Sequence, residues 1–246
     1  MTAMARLTTL LFAMWVGVTV STAVDLQKRI IGGAICQDYE RLYHVRLRFR
    51  NTTHVASCGG SLISNQWILT AAHCLVPGWN IFADIAVHPG PSRPAIQITH
   101  PPEIFNDGNQ HDLMLLMLPT QVVGIRPIDL PDCAHPPIAG AEVQIAGHAS
   151  TRSGPNNERQ PGSSPTLQCA NTDVVNCQNN HQHWICCSRH GVDACVGDSG
   201  GGLVYNNMIY GVIVMVHRTI VCGLPLLSMD LCHGPYNQWI RRIITP

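Results

Sequence analysis

Short apolar segments separated by turn residues recur along almost the whole chain, and they restrict the folds open to it. Runs rich in Val, Ile, Leu and aromatic residues occupy 45–49, 60–63, 67–69, 81–87, 113–118, 143–145, 203–205 and 208–216. Helical periodicity is rare, and residues 236–244 are the best helix candidate. The pattern predicts antiparallel β-sheets closed into barrels or sandwiches, with an exposed Ser/Gly/Pro/Asn-rich loop over 150–165.

The N-terminus has the pattern of a secretory signal peptide. One Arg precedes an apolar run over residues 7–20, and small residues lead to Ala23. The run of 14 residues is shorter than the roughly 20 of a membrane span. We therefore predict cleavage after Ala23, with residues 1–23 as the signal peptide, and a secreted, extracellular protein with no membrane partner.

Composition supports an oxidising compartment and narrows the partners. The 11 cysteines predict a disulfide framework, and their odd number leaves one thiol over or paired between chains. Formal net charge is +0 and charged residues make up only 12% of the chain, so no basic stripe predicts a nucleic-acid partner. Asn51, in Asn-Thr-Thr, is the one N-glycosylation acceptor, and an unused surface triplet is the alternative.

Ser199 lies in the glycine-rich stretch GVDACVGDSGGG at 191–202. As a nucleophile it needs a base and an orienting acid. His73 ends the apolar segment WILTAAHC at 67–74, and Asp112 opens the apolar strand HDLMLLML at 111–118. An acid at the start of a strand can fix one imidazole nitrogen and leave the other to take the serine proton. We predict that His73, Asp112 and Ser199 form a catalytic triad.

The chain after the signal peptide resembles the trypsin-like (chymotrypsin-fold) serine peptidases. The motifs that carry the resemblance are RIIGG, SCGGSLIS, WILTAAHC and GDSGG, at 29–33, 57–64, 67–74 and 197–201. It implies an all-β fold of two six-stranded antiparallel β-barrels with a short C-terminal helix, in one peptidase domain over 30–246. The barrels would span about 30–125 and 126–233, with the active site in the cleft between them.

The same resemblance implies activation by cleavage. Residues 24–29 would be a propeptide, and cleavage after Arg29 would free the amine of Ile30 to pair with Asp198. That buried pair would order the backbone N–H groups of Gly197 and Ser199 as an oxyanion hole. A dibasic turn without processing is the alternative.

The resemblance also implies five disulfides. They are Cys36–Cys169, Cys58–Cys74, Cys133–Cys232, Cys177–Cys186 and Cys195–Cys222. Cys187 remains over, although it and Cys186 could exchange roles. Val143 and Tyr205 stand where a further family disulfide would be, so that bridge is absent as a whole.

The specificity pocket departs from the family pattern. Asp193 stands at the pocket floor, where an acid selects Arg or Lys. Val216 and Leu226 replace the glycine walls, which narrows or blocks the pocket. Val214 and Met215 replace the usual Ser-Trp that precedes the first wall. Gly202 follows the serine motif in place of proline, and His148-Ala149 replace Trp-Gly.

These departures leave the substrate preference open. A sealed Asp193 would be a costly buried charge unless it protonates or finds a partner, for which Arg189 and Arg218 are the candidates. Selection of small residues above a blocked floor, as in elastases, is the alternative to cleavage after Arg or Lys.

Metals and cofactors find little support in the sequence. Asp84 is the one acid within residues 75–102, where many trypsins bind calcium. His181 and His183 form the closest histidine pair, and no third ligand is in view. We predict no metal and no cofactor.

Two functions follow from these residues. The first is a secreted, zymogen-derived serine endopeptidase. Its partners would be protein or peptide substrates, an activating protease and protein protease inhibitors. The alternative is a secreted, non-catalytic peptidase homologue that acts as a binding or effector protein because its groove is obstructed by Val214, Met215, Val216 and Leu226.

Overall fold

The computed structural model describes residues 30–90, 92–149, 154–156, 158, 160, 162–178, 183–215, 220–221 and 224–245. The predicted signal peptide, the propeptide with Arg29, and the residues Val216, Arg218 and Cys222 lie outside the described residues.

The described residues form fourteen strands, a single 3-10 turn and one α-helix. The strands are β1 Ala34–Ile35, β2 His44–Arg50, β3 Val55–Leu62, β4 Trp67–Thr70, β5 Asn80–Asp84, β6 Ile96–Ile98, β7 Glu103–Asn106, β8 Gln110–Met117, β9 Glu142–Ala149, β10 Ser163–Val175, β11 Trp184–Cys187, β12 Gly202–Tyr205, β13 Met208–Met215 and β14 Leu226–Asp230. The 3-10 turn is Ala72–Cys74 and the helix α1 is Gly234–Ile244.

The strands form two antiparallel, barrel-like sheets, which confirms the predicted fold class. The first sheet has the order β6-β5-β2-β3-β4-β8-β7 and is a half-barrel. The second has the order β1-β10-β11-β14-β13-β12-β9, and an additional β9–β10 pairing closes six of its strands into a barrel, to which β1 is added.

Alternation of side chains explains why the apolar runs became strands. In β2, Val45, Leu47 and Phe49 are fully buried, while the three arginines between and after them point outward. Successive side chains of a strand face opposite sides of the sheet, so one face of β2 enters the core of the first sheet.

The loop predicted over 150–165 is wrong at its C-terminal end, because strand β10 already begins at Ser163. The polar sequence SSPTLQCANTDVV hides this strand from a hydrophobicity pattern. Gln168 is fully buried there, and its amide donates to Ser164 Oγ and to the Thr166 carbonyl at 3.2 and 2.8 Å. Hydrogen bonds of this kind lower the cost of burying a polar side chain.

Helix α1 packs on the first sheet. Tyr236, Trp239 and Ile240 are buried in that sheet's core, and Phe105 of β7 meets Tyr236 and Trp239 edge-on, with ring centroids 4.9 and 5.5 Å apart. The helix begins two residues before the predicted 236 because Pro235 suits the first turn of a helix.

Candidate active site

His73 and Asp112 are joined by two hydrogen bonds on the first sheet. His73 lies in the 3-10 turn after β4, which the Cys58–Cys74 disulfide ties to β3, and Asp112 lies on β8. Asp112 Oδ2 lies 2.6 Å from His73 Nδ1, and Asp112 Oδ1 accepts the His73 backbone N–H at 2.8 Å. The pair holds the imidazole with Nε2 away from the acid, in the orientation a general base needs.

Ser199 lies in the turn before β12, between the two sheets. Its carbonyl accepts a hydrogen bond from Gly59 N of β3 at 2.7 Å, and lies 3.9 Å from Cys74 Sγ, beside His73. Within the described part of the chain, the Ser199 hydroxyl and the His73 ring form no direct hydrogen bond. In enzymes without substrate this bond is often long and tightens on binding.

The turn before Ser199 presents two backbone donors. Gly197 has φ +110, a conformation that glycine adopts readily. Asp198 N is bonded to Cys195 O at 2.9 Å, whereas the N–H groups of Gly197 and Ser199 have no acceptor among the described residues. Both residues are partly exposed, so a substrate oxygen can reach this pair of donors.

The Asp198 carboxylate holds this turn in place. Asp198 is fully buried, and its two oxygens accept the backbone N–H groups of Ala149 and Cys195 at 2.9 and 2.8 Å. Gly147 makes room for it, since a Cβ there would stand 1.9 Å from Asp198 Oδ1.

The start of the described chain enters the second sheet. Ile30 is fully buried in the core of that sheet, and its φ of +38 is rare for a β-branched residue. The Ile31 carbonyl accepts the Asp193 N–H at 3.0 Å, which links the predicted activation segment to the predicted pocket floor.

The predicted pocket floor is closed off. Asp193 is 4% exposed, and the cavity that it shares with Leu226 encloses about 10 Å³. That volume is close to the minimum for one water molecule. Leu226 is itself buried in the core of the second sheet.

Arg189, one of the two candidate partners of Asp193, pairs with other acids. Its guanidinium instead donates to Asp173 at 2.8 Å and to Glu142 at 2.6 Å. The hydrogen bond from Arg189 is the largest cause that lowers the pKa of the Asp173 carboxyl. These two acids lie on the neighbouring strands β10 and β9, and Arg189 pairs with them instead of with Asp193.

Val214, which stands where the family usually has a serine, has no polar side-chain atom. Its half-buried side chain packs against the core of the first sheet and offers no donor. The carboxylate of Asp112 accepts only the two His73 hydrogen bonds among the described residues, and its side chain is 22% exposed.

Four of the five predicted disulfides are present and confirmed. They are Cys36–Cys169, Cys58–Cys74, Cys133–Cys232 and Cys177–Cys186. Cys187 is buried and forms no disulfide, and burial raises the pKa of its thiol to about 12. A buried thiol is inaccessible to a second chain, so this residue behaves as a small apolar side chain.

A cavity beside His73 was missed by sequence reasoning. It encloses about 740 Å³ and is bordered by His73, Asp112, Phe105, Asn109 and His111. His111 Nε2 lies 2.9 Å from Asp107, so its Nδ1 accepts the Tyr236 hydroxyl at 2.6 Å. The turn signal Asn-Asp-Gly-Asn at 106–109 marks the rim, but the cavity forms only where the β7–β8 segment packs beside the 3-10 turn that carries His73.

In the described residues, one group of potential metal ligands converges: Cys58, His73 and Cys74. Both cysteines are consumed by their disulfide, so they offer no thiolate.

Comparison with known proteins identifies the family. The trypsin family model matches residues 30–240. The chain belongs to the trypsin family of serine proteases. Trypsin II-P29 of Gallus gallus is 30% identical over 88% of this chain and 89% of its own. Kallikrein-12 of Homo sapiens is 31% identical over 88% of this chain and 91% of its own.

A solved structure has the same fold. Mouse neuropsin, a serine protease expressed in the limbic system of the brain, has a TM-score of 0.68 and 25% identity. The match covers 86% of this trypsin-family chain and 98% of neuropsin. Among the described residues, this trypsin-family chain has no helix long and apolar enough to cross a membrane.

Proposed function

We propose that this protein is a secreted serine endopeptidase that hydrolyses peptide bonds through an acyl-enzyme. One observation carries the proposal: the hydrogen-bonded His73–Asp112 pair lies next to a Ser199 turn with two backbone donors open to substrate. Family membership supplies the reaction class.

In the proposed mechanism, His73 Nε2 takes the Ser199 hydroxyl proton as Oγ attacks the scissile carbonyl carbon. The carbonyl oxygen becomes an oxyanion and accepts hydrogen bonds from Gly197 N and Ser199 N, each worth about 10²–10³ in rate. The imidazolium then protonates the leaving amine, and the C–N bond breaks. Water, deprotonated by His73, hydrolyses the ester and restores Ser199. Asp112 stabilises the imidazolium throughout.

Activation by cleavage after Arg29 is part of the proposal. The new amine of Ile30 would pair with Asp198, whose carboxylate already accepts two backbone N–H groups of the oxyanion turn. The burial of Ile30 in the second sheet, together with the Ile31–Asp193 contact, supports this role.

The proposed specificity is for small residues before the scissile bond. The cavity of about 10 Å³ against Asp193 and Leu226 leaves no space for a lysine or arginine side chain. The open cavity of about 740 Å³ beside His73 would accept neighbouring substrate residues, and its wall of Ile104 and Phe105 favours apolar ones.

Removing the Leu226 side chain should change this preference. Leu226→Ala is expected to raise kcat/KM for substrates with Arg or Lys before the scissile bond at least tenfold, because Asp193 becomes reachable. Loss of the Leu226 side chain from the core of the second sheet should also lower the free energy of unfolding by about 2–5 kcal/mol. The measurement is a peptide library profile with a urea titration.

Leu227→Ala is the matched control, since the neighbouring side chain on β14 is less buried and points to the opposite face. An unchanged preference in folded Leu226→Ala would remove Leu226 from the pocket wall.

The proposed partners are protein or peptide substrates, an activating protease and protein protease inhibitors, outside the cell. The disulfides support an oxidising compartment. Asn51 is the proposed glycan acceptor, because it is exposed at the turn between β2 and β3 and Thr53 Oγ1 lies 3.3 Å from its Oδ1.

Active-site labelling tests the enzyme proposal. The proprotein, cleaved after Arg29, is expected to react with a fluorophosphonate probe, whereas Ser199→Ala should lose labelling entirely. Arg29→Gln, which blocks cleavage, should label far more slowly. Labelling is followed by gel fluorescence and by mass spectrometry of the Ser199 peptide.

The closure of the pocket above Asp193 favours the second candidate, a secreted non-catalytic homologue that binds proteins. Cleaved, correctly folded protein that fails to label would support this candidate against the endopeptidase.

A further inference from the structure

A second cavity lies where the two sheets meet. It encloses about 270 Å³. Arg46 of β2, His88 and Ser92 of the segment after β5, His148 of β9 and Thr166 of β10 border it. Basic and hydroxyl side chains from both sheets thus face one small space.

The two histidines there are buried and have fixed tautomers. His148 is 7% exposed, and its Nδ1 lies 3.2 Å from the Ser164 carbonyl oxygen. His88 is 5% exposed, and its Nε2 lies 2.7 Å from the Gln37 carbonyl oxygen. A carbonyl oxygen only accepts, so these two nitrogens carry the hydrogens. His148 Nε2 is left with a lone pair and has no partner among the described residues.

Leaving a buried polar atom without a hydrogen-bond partner destabilises the folded protein. Because His148 Nε2 is such an atom and His148 borders the cavity, the cavity is a candidate ligand site. Histidines that donate one ring nitrogen to a carbonyl are also typical of metal ligands. Three ligand atoms from His44, His88 and His148 do not converge in the described structure, which disfavours a metal here.

The charges around His148 favour an anion. His44 and Arg46 face it from β2, with the His44 ring centroid 5.8 Å from that of His148, and His88 faces it from the segment after β5. Among the described residues, the acid that acts on His148 is Asp84 of β5, and its carboxylate is already shared by Arg46 and Arg48 at 3.1 and 2.6 Å. Behind them, Arg41 adds positive charge at His44.

We propose that this cavity binds a small tetrahedral oxyanion, of the sulfate or phosphate class, together with one proton from solvent. The proton is taken up at His148 Nε2, which then donates a hydrogen bond to an anion oxygen. Arg46 supplies a second, charge-assisted donor from the opposite sheet. The site thereby joins β2 to β9 and β10.

The empty site disfavours protonation. Burial, and after it Arg46 and His88, lower the pKa of His148 to about 4, against the opposing Ser164 hydrogen bond and Asp84. The unfolded chain therefore binds more protons between about pH 6.5 and about pH 4, and the empty protein loses stability as pH falls through that range. A bound anion raises the pKa of His148 and reverses this loss.

Calorimetric titration of the full mature chain with inorganic sulfate tests the proposal. Sulfate is the probe because its charge is constant in this range. At constant ionic strength, one proton taken up per anion should tighten Kd about tenfold between about pH 6.5 and about pH 5.5. Buffers of different ionisation enthalpy should report the uptake of about one proton per sulfate.

His148→Gln and Arg46→Gln should each weaken sulfate binding at least tenfold, and His148→Gln should abolish its pH dependence. The exposed His100→Gln is the matched control and should bind as the natural protein does. If His148→Gln fails to fold, two measurements still test the proposal. They are sulfate binding by Arg46→Gln and the number of protons that the natural chain takes up per sulfate.

No sulfate binding, or binding that is independent of pH and of both variants, would overturn the proposal. Titration with a sulfated monosaccharide then distinguishes the two possible sources of the anion, a sulfate ester and the free inorganic ion. Binding as tight as that of free sulfate assigns the site to sulfate esters, and binding of the free ion alone assigns it to an inorganic anion.

Discussion

Asp112→Asn is expected to lower kcat about 10⁴-fold, as loss of this charge does in the Ser-His-Asp template. Asp112 accepts two hydrogen bonds, from the backbone N–H of His73 and from Nδ1. An amide has one acceptor oxygen, so when this oxygen meets the backbone N–H its NH₂ faces Nδ1. The imidazole then carries its hydrogen on Nε2 and cannot take the Ser199 proton. Steady-state kinetics on a peptide substrate measure the effect.

Asp132→Asn is the control for this experiment. Asp132 also pairs with a histidine, His135, at 2.8 Å, but on the exposed surface away from Ser199. Its replacement should leave kcat unchanged. A loss of less than tenfold in folded Asp112→Asn would mean that His73 does not depend on this acid for its tautomer.

Gly147→Ala is expected to lower kcat by about 10²–10³, the cost of losing one oxyanion donor. The new Cβ would stand 1.9 Å from Oδ1 and 2.5 Å from Cγ of the buried Asp198. The carboxylate must shift and release the N–H groups of Ala149 and Cys195, and with them the turn that carries Gly197. Each buried N–H left unpaired should lower the free energy of unfolding by about 1–3 kcal/mol.

Kinetics and urea unfolding of the same preparation separate the two effects. Gly234→Ala is the matched control, because nothing lies within 4 Å of its new Cβ at the start of α1. That variant should keep both kcat and stability. Full activity of Gly147→Ala would show that Asp198 does not hold the turn.

Local patterns in the sequence predicted much of the fold. Alternating apolar residues such as Val45, Leu47 and Phe49 identified β2, since a buried face requires period two. The start of the polar strand β10 was not predicted, because side-chain hydrogen bonds accompany the burial of Gln168 and a hydropathy pattern does not record them. The resemblance to trypsin-like peptidases supplied four disulfides that are present.

The sequence by itself was enough to predict a catalytic triad of His73, Asp112 and Ser199, because each of these residues stands in a long local motif. With the family resemblance, it also predicted that Leu226 replaces a small residue in the pocket wall. Tertiary structure alone decided that Arg189 turns to Asp173 and Glu142 rather than to Asp193. It also decided that cavities open beside His73 and beside His148. The reason is physical: periodicity determines which face of a strand is buried, whereas charge pairing and cavity shape depend on how residues distant in sequence pack together.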